Sequence, residues 1–359
     1  MNHIEYVILG GGVAGLCAAK RLLELGICPT VIEAGGYPSH KICGEFISPS
    51  SLPILEKWKI FPVPVHQMQL YTASENLHLL FPQSAGSLSH LTFDFELANQ
   101  ISNQGASLLT HTKVEDFSPA IREGDDHCLT LSSGERIKAK HLFIATGRLP
   151  GSFSQPLQPL YIGLKAHFSG LELNSTLHLF SFKGAYLGVT PVENGSANLA
   201  CLATIEQFKQ FSSSEQFMQN LITSHPVLRN LLASGSNLFD GWMEAFVPEF
   251  GLRTTSHWPR TYWIGDAAGT IPPASGNGLS LAIASGYLAA EFALKDEAQL
   301  FKKEWKKKCY FQIKLAKGLH RLFLNPFWGS KGMLLNKFFP CIGQKAFTFT
   351  RIRGCVITS

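Results

Sequence analysis

Four short stretches carry residues able to do chemistry: Lys41-Ile-Cys-Gly-Glu45, Glu33 at the end of an apolar run, Gly265-Asp266, and Gly184-Ala-Tyr-Leu-Gly-Val-Thr-Pro191. In the first, the Lys41 ammonium stands two residues from the Cys43 thiol. A nearby cation stabilises a thiolate, and such a cysteine can position a substrate or deliver a proton. A small cysteine that only packs in a loop has the same sequence, and both readings stay open. Glu45 reads as capping or orienting that loop. Glu33 and Asp266 are carboxylates able to accept hydrogen bonds from hydroxyls; Asp266 otherwise reads as a turn or cap residue. Tyr186 stacks on a ring, touches substrate, or is an ordinary sheet tyrosine. His167 reads as structural. No cluster of His, Cys, Asp and Glu has metal-ligand spacing, and no Gly-x-Ser-x-Gly elbow marks a serine hydrolase.

The flanking elements say what these residues serve. Ile4 and Tyr6 to Leu9 form an apolar run, as in a parallel strand buried on both faces. Gly10, Gly12 and Gly15 then spell G-x-G-x-x-G. Gly10 permits the turn, Gly12 lets backbone approach a pyrophosphate, and Gly15 lets the next helix pack close. That helix, predicted over 14–25, begins with the amides of Val13 and Ala14, and its dipole favours a diphosphate. A second strand ends in Glu33-Ala34, where a carboxylate reaches a ribose. Far along the chain, the strand 262–264 enters a second glycine-rich run from Gly265 to Gly278. Two such runs hold one extended, phosphate-bearing cofactor from both ends. The cofactor expected is FAD.

Composition sets bounds. The 359 residues are 45% hydrophobic and 16% charged, enough for about two domains. The eight cysteines form no C-x-x-C, which fits reduced thiols in a cytoplasmic protein. The first strand starts so near Met1 that no signal peptide is expected. The apolar window 279–294 is too short for a membrane span and reads as a core helix. Charge is uneven: residues 302–359 hold 13 Lys and Arg against Glu304 alone. Phe311, Leu315, Leu319, Leu322 and Phe323 recur there at helical spacing. This tail either packs on the cofactor domain with a solvated lysine face, or meets an anionic membrane, making the protein peripheral on the inner face. No nucleic-acid motif accompanies the charge.

The fold class expected is α/β: a Rossmann-type FAD-binding domain with an inserted antiparallel-sheet, α+β substrate domain and a helical basic C-terminal tail. The boundaries drawn are 1–70, 91–155 and 255–298 for the discontinuous FAD domain. The substrate domain takes 71–90 and 156–254, and the basic helical region takes 299–359. Residues 35–65 read as a long excursion rich in Gly, Pro and Ser. Four antiparallel strands are predicted over 162–203, with two cap helices over 205–233.

The segments Gly10-x-Gly12-x-x-Gly15, Lys41-Ile-Cys-Gly-Glu45, Ala145-Thr-Gly147 and Gly265-Asp266 stand in this order in one superfamily. The chain resembles FAD-dependent flavoprotein monooxygenases of the hydroxybenzoate hydroxylase type, and especially the geranylgeranyl reductases, over roughly residues 1–295. The resemblance implies that Asp266 binds ribityl or ribose hydroxyls. It implies that Pro272 stiffens a loop beside the flavin, with Gly276 and Gly278 opening a helix toward it. Lys41, Cys43, Gly44, Val114, Thr146 and Gly147 would also contact FAD, Cys43 facing the substrate. The Tyr186 strand would line the pocket. Two positions depart from the family: Thr146-Gly147 replaces Asp-Gly, and His90 stands where an Arg touches the FAD phosphates. The Trp-x-Trp-x-Ile-Pro of flavin halogenases is missing. The function implied is reduction of a C=C bond in a small apolar, isoprenoid or lipid-like substrate, with hydride from flavin N5. The alternatives are a monooxygenase using NAD(P)H and O₂, and a non-catalytic flavin-binding membrane protein. NAD(P)H or a redox partner protein is the expected electron source.

Overall fold

The computed structural model describes residues 2–148, 158–338, 341–349 and 351. Strand β1 (Asn2–Leu9) buries Tyr6, Val7, Ile8 and Leu9, then turns into helix α1 (Val13–Glu24). β2 (Thr30–Ile32) returns beside β1. The chain leaves through β3 (Phe46–Ile47), α2 (Leu52–Lys57), β4 (Val63–Tyr71) and β5 (Asn76–Ser87). Helix α3 (His90–Asn103) follows, capped by Ser89, whose side chain accepts from the Thr92 amide. Then come β6 (Ser107–Leu109), β7 (Val114–Ser118), β8 (His127–Leu131) and β9 (Arg136–Ile144).

The middle of the chain holds β10 (Pro159–Ser169), β11 (Thr176–Phe182), β12 (Ala185–Pro191) and β13 (Ala197–Thr204). Helices α4 (Ile205–Phe208), α5 (Ser214–Ser224) and α6 (Pro226–Leu232) come next. β14 (Ser236–Asn237), β15 (Met243–Pro248), β16 (Gly251–Leu252), β17 (Thr261–Trp263) and β18 (Gly269–Thr270) lead to α7 (Gly278–Leu294). The C-terminal helices are α8 (Ala298–Phe323), α9 (Pro326–Phe338) and α10 (Cys341–Phe349).

The first sheet runs β6-β2-β1-β9-β8-β7, with β17 on β9. Its parallel register aligns Leu9 with Ile32 and Ile144, and Ile144 with Trp263. Gly10, Glu33, Ala145 and the Ile264–Gly265 step therefore emerge at one edge, the carboxyl edge where such sheets bind ligands. Helix α7 lies directly on α1 because Gly286 has no side chain: a Cβ there would stand 2.2 Å from the Ala14 carbonyl oxygen.

The second sheet runs β14-β10-β13-β12-β11-β4-β5-β3, with β15 also on β10. Alternation divides its two faces. Ile162, Leu164 and Ala166 join Leu187, Val189, Leu199 and the α5–α6 residues Phe217, Met218 and Leu228 in one core. The intervening Gly163, Tyr186, Gly188 and Ala200 line a cavity on the opposite face. Lys165 and His167 share the parity of Gly163.

Three boundaries move from their sequence-based places. β4 and β3 pair within the second sheet, so that sheet recruits residues from the 1–70 block rather than starting at 71. The stretch 35–65 contains β3, α2 and the start of β4. The cap has three helices, α4 being one short turn. In the tail, α8 buries Phe301, Trp305, Cys309, Ile313, Ala316 and His320. The stripe beginning at Phe311 is divided: Phe311 is 56% exposed, whereas Leu319, Leu322 and Phe323 line a cavity. A 26-residue helix carries several apolar rows, and packing on α7 and β17 selects among them.

Candidate active site

The nucleotide end is made mostly of backbone. Gly10 has φ +104°, and a Cβ on it would lie 2.3 Å from the Ala145 oxygen. That conformation and that contact both require glycine. The start of α1 carries no side-chain cap and no acidic residue in its first turn, which leaves its amides for an anion. Glu33 accepts from the Gly11 amide at 2.6 Å and from the Gly35 amide at 2.8 Å. Each carboxylate oxygen keeps a lone pair for a hydroxyl. The Lys41 ammonium approaches the same turn, 3.4 Å from where a Gly12 Cβ would stand. Ala34 follows Glu33, and Val114 opens β7 at the far edge of the same sheet. Thr146 and Gly147 follow the end of β9, Gly147 with φ +72°.

At the other end, Gly265-Asp266 forms a 3₁₀ turn between β17 and β18, its Gly265 amide donating to Ser285 Oγ at 2.8 Å. The Asp266 side chain is 40% exposed and faces Arg148 Nε at 3.6 Å. Pro272 leads into a short 3₁₀ turn that ends at Gly276 in the left-handed region, φ +62°. A Cβ there would stand 2.8 Å from the Phe46 ring. Gly278 opens α7. Arg351 reaches this loop, donating to Asn277 Oδ1 at 2.7 Å, with its guanidinium 3.7 Å from the centre of the Phe347 ring.

Between the two ends lies the loop 41–45, clamped from three directions. Lys165 Nζ donates to the Lys41 carbonyl at 3.0 Å, Asn198 Nδ2 to the Cys43 carbonyl at 2.9 Å, and Arg148 to the Ile42 carbonyl at 3.4 Å. Glu45 is fully buried with φ +56°, a backbone region disfavoured for a residue with a Cβ. Its carboxylate binds Lys165 Nζ through one oxygen and His167 Nε2 through the other at 2.8 Å. The His90 amide donates to it as well, at 2.9 Å. Lys165 is also fully buried. Burial pushes the Glu45 pKa up, but the His167 hydrogen bond and the Lys165 charge outweigh it and hold the group ionised.

A second buried group surrounds the Cys43 thiol. The Glu45 amide donates to Cys43 Sγ at 3.3 Å, and the charge of the His90 imidazole acts on the same sulfur. His90 Nδ1 lies 3.1 Å from Asp94 Oδ1, and Lys41 Nζ lies 2.8 Å from Asp94 Oδ2. Burial alone would lower the His90 pKa; the charge of Asp94 and its hydrogen bond, with Cys43, raise it to about 10. Burial alone would raise the Cys43 pKa; the hydrogen bond and charge of His90 bring it below the usual thiol value.

Cys43 lines a cavity of about 390 Å³. Its walls are chiefly Met68, Leu70, Leu79, Leu177, Leu179 and Phe323, from the second sheet and α8. Tyr186 also lines it, but its hydroxyl accepts from the Ala274 amide at 3.1 Å and meets His320 Nδ1 at 3.4 Å. Burial raises the Tyr186 pKa well above its ordinary value. This tyrosine ties β12 to the 272–276 loop and to α8. Among the described residues no group of His, Cys, Asp and Glu could hold a metal ion.

Residues 4–176 match a family model described as pyridine nucleotide-disulphide oxidoreductase. The chain is an FAD-dependent oxidoreductase. The flavoprotein is 21% identical over 331 residues to the menaquinone reductase of Mycolicibacterium smegmatis, covering 85% of this chain and 80% of that one. It is 22% identical to digeranylgeranylglycerophospholipid reductase 3 of Methanosphaera stadtmanae, over 82% of this chain and 78% of that one. Among solved structures, a flavin-dependent brominase superposes with TM-score 0.79 at 15% identity, covering 98% and 94% of the two chains. A geranylgeranyl bacteriochlorophyll reductase-like protein from Thermoplasma acidophilum superposes with TM-score 0.72 at 17% identity, covering 97% and 100%. The superpositions share the fold expected from the motifs.

The residues of this flavoprotein fit FAD: the side-chain-free turn at Gly10 and the uncapped start of α1 suit a diphosphate, and Glu33 suits a ribose. The resemblance puts a phosphate-touching arginine where this chain has His90, and the structure turns this histidine inward, onto Asp94. Sequence reasoning missed Asp94 and Lys165. Their signals were present: His90 and Asp94 are i,i+4 on α3, and Lys165 and His167 are i,i+2 in an otherwise apolar strand.

Proposed function

We propose that this flavoprotein reduces a C=C bond in a polyprenyl or similarly long apolar substrate. The observation that carries the reading is the apolar cavity with Cys43 in its wall. When bound, FAD supplies hydride transfer. The chain's residues do the rest. The leucine and methionine walls take an aliphatic chain and exclude water. Asn198, Arg148 and Lys165 hold the loop backbone, so the thiol keeps a fixed place. Cys43 delivers the proton that completes saturation, one C–H from hydride and one from the thiol. Tyr186, with its hydroxyl engaged and its pKa raised, positions the 272–276 loop instead. The named substrates of both reductase relatives carry polyprenyl chains, which supports the class.

We extend the proposal to the C-terminal region. Tyr310, Phe311, Phe327 and Trp328 are each more than half exposed, among lysines. Aromatic residues with lysines suit an anionic membrane surface, where such substrates reside. Among the described residues, no helix is long and apolar enough to cross a membrane. NAD(P)H or a redox partner protein supplies the electrons.

The test is anaerobic. Photoreduced protein is mixed with a polyprenyl quinone or an unsaturated archaeal-type lipid, and products are read by mass spectrometry. The expected product gains two hydrogens without oxygen present. A product formed only with O₂ and gaining an oxygen atom would establish the monooxygenase instead.

A further inference from the structure

A second cavity lies away from Cys43, between the loop 252–257, strand β17 and the first turns of α8. Its volume is about 600 Å³, within the range of sites that hold small organic ligands. Among the described residues it shares no lining residue with the apolar cavity.

Its lining is basic on two sides. Arg253 stands on the loop, and Lys302, Lys303 and Lys306 stand on α8. Among the described lining residues none is Asp or Glu. Lys303 and Lys306 are exposed and lie i,i+3 on α8, so they share a helix face. Neither has an ion-pair partner among the described residues. Lys302 has a different task. Its Nζ donates to the Thr255 carbonyl at 2.8 Å and the Ser256 carbonyl at 3.4 Å, which fastens the loop to the helix.

Two buried donors of the lining lack an acceptor. Trp263 is 7% exposed, and its indole Nε1–H has no acceptor among the described residues. The buried Nε of Arg253 has none either, while Arg253 Nη2 donates to the Arg148 carbonyl at 2.9 Å. Both orphaned groups can only donate, and buried donors are nearly always paired. The cavity therefore lacks acceptors and negative charge together.

We propose that this second cavity binds a phosphate-bearing ligand, held by Arg253, Lys303, Lys306 and the Trp263 indole N–H. A phosphomonoester carries about −1.5 to −2 charge near neutrality and offers three acceptor oxygens. Three cations around one space match it better than they match a single carboxylate. Leu252, Phe301 and Trp305 line the same cavity and take the apolar part of the ligand. Such a phosphate comes from a soluble ester or dinucleotide, or from a lipid headgroup. The site also borders the cofactor end: Arg253 holds the Arg148 carbonyl, and Arg148 Nε faces Asp266 at 3.6 Å. The inference is independent of the role given to Cys43.

Binding is measured on the FAD-loaded full chain. Inorganic pyrophosphate and NADPH are titrated by calorimetry, and phosphatidylglycerol vesicles are tested by sedimentation. Three proteins are compared: wild type, the double variant Lys303→Gln with Lys306→Gln, and a charge-matched control, Lys307→Gln with Lys314→Gln, from α8 outside both cavities. Pyrophosphate or NADPH should bind wild type and control alike, and the Lys303 and Lys306 variant about tenfold or more weakly. Arg253→Gln should weaken binding similarly, with retained flavin absorbance reporting its fold; the lysine pair decides if it does not fold. If neither soluble probe binds, but vesicle sedimentation falls in the Lys303 and Lys306 variant and not in the control, the phosphate is that of a lipid headgroup. Equal binding by all three proteins, an equal loss in both lysine pairs, or no binding of any probe overturns the site.

Discussion

The two ends of the site are built on opposite principles. The glycine turn at Gly10, with the start of α1 and Gly265, is shaped by what is missing: side chains are absent, so a ligand can approach the backbone. The loop 41–45 works by what is crowded in: Glu45, Lys165, His167, His90 and Asp94 are buried together, with their charges matched. Backbone recognition tolerates drift in the rest of the chain, because only spacing matters. The buried network tolerates little, because every charge in it needs its partner. An open backbone turn at the edge of the first sheet and a crowded loop beside the cavity of the second sheet thus lie in one chain.

Breaking each end separates the two principles. The largest effect is expected for Gly10→Val: a branched side chain at φ +104° meets the Ala145 carbonyl, and the purified protein should carry no flavin absorbance. Yellow protein from this variant would show that the turn is not the cofactor cradle. Next comes Lys165→Met, which leaves Glu45 as a buried carboxylate with His167 as its remaining side-chain partner. Unfolding free energy should fall by about 3–5 kcal/mol in denaturant titration. A loss under ~1 kcal/mol would mean the network is not a structural charge pair. A smaller effect belongs to Gly276→Ala, where a left-handed backbone and a Cβ pressed on Phe46 should cost about 1–2 kcal/mol, read the same way. The smallest effect on stability is at the tail: Phe327→Ser with Trp328→Ser should change unfolding by at most about 0.5 kcal/mol. The same double variant should lose sedimentation with phosphatidylglycerol vesicles. Equal sedimentation of variant and wild type removes the membrane proposal.

The sequence displayed the backbone end almost completely. Gly10, Gly12, Gly15, Glu33 and Gly265 are tied to strands whose parallel register puts them at one edge, and register follows from strand order and the glycine spacing. The strands over 160–204 were equally legible, because their apolar runs are short and closely spaced. The side-chain end was not. Cys43 and Lys41 are near in sequence, but His90 and Asp94 reach them only because β3 to β5 carry the chain into the second sheet and α3 brings it back. Lys165 and His167 looked like polar residues on a sheet face, and burial against Glu45 is a tertiary fact. The tail left two readings open for a related reason: a helix with several apolar rows does not announce which row packs.

The central claim is that Cys43 gives the proton for flavin-dependent saturation of an apolar substrate. It is tested most directly by anaerobic single turnover of the photoreduced Cys43→Ala protein with a polyprenyl substrate, followed by flavin reoxidation. The account predicts full FAD content and a reoxidation rate lowered by about 100-fold or more, with wild type giving the dihydro product. Reoxidation by Cys43→Ala at the wild-type rate, with the same saturated product, would contradict it.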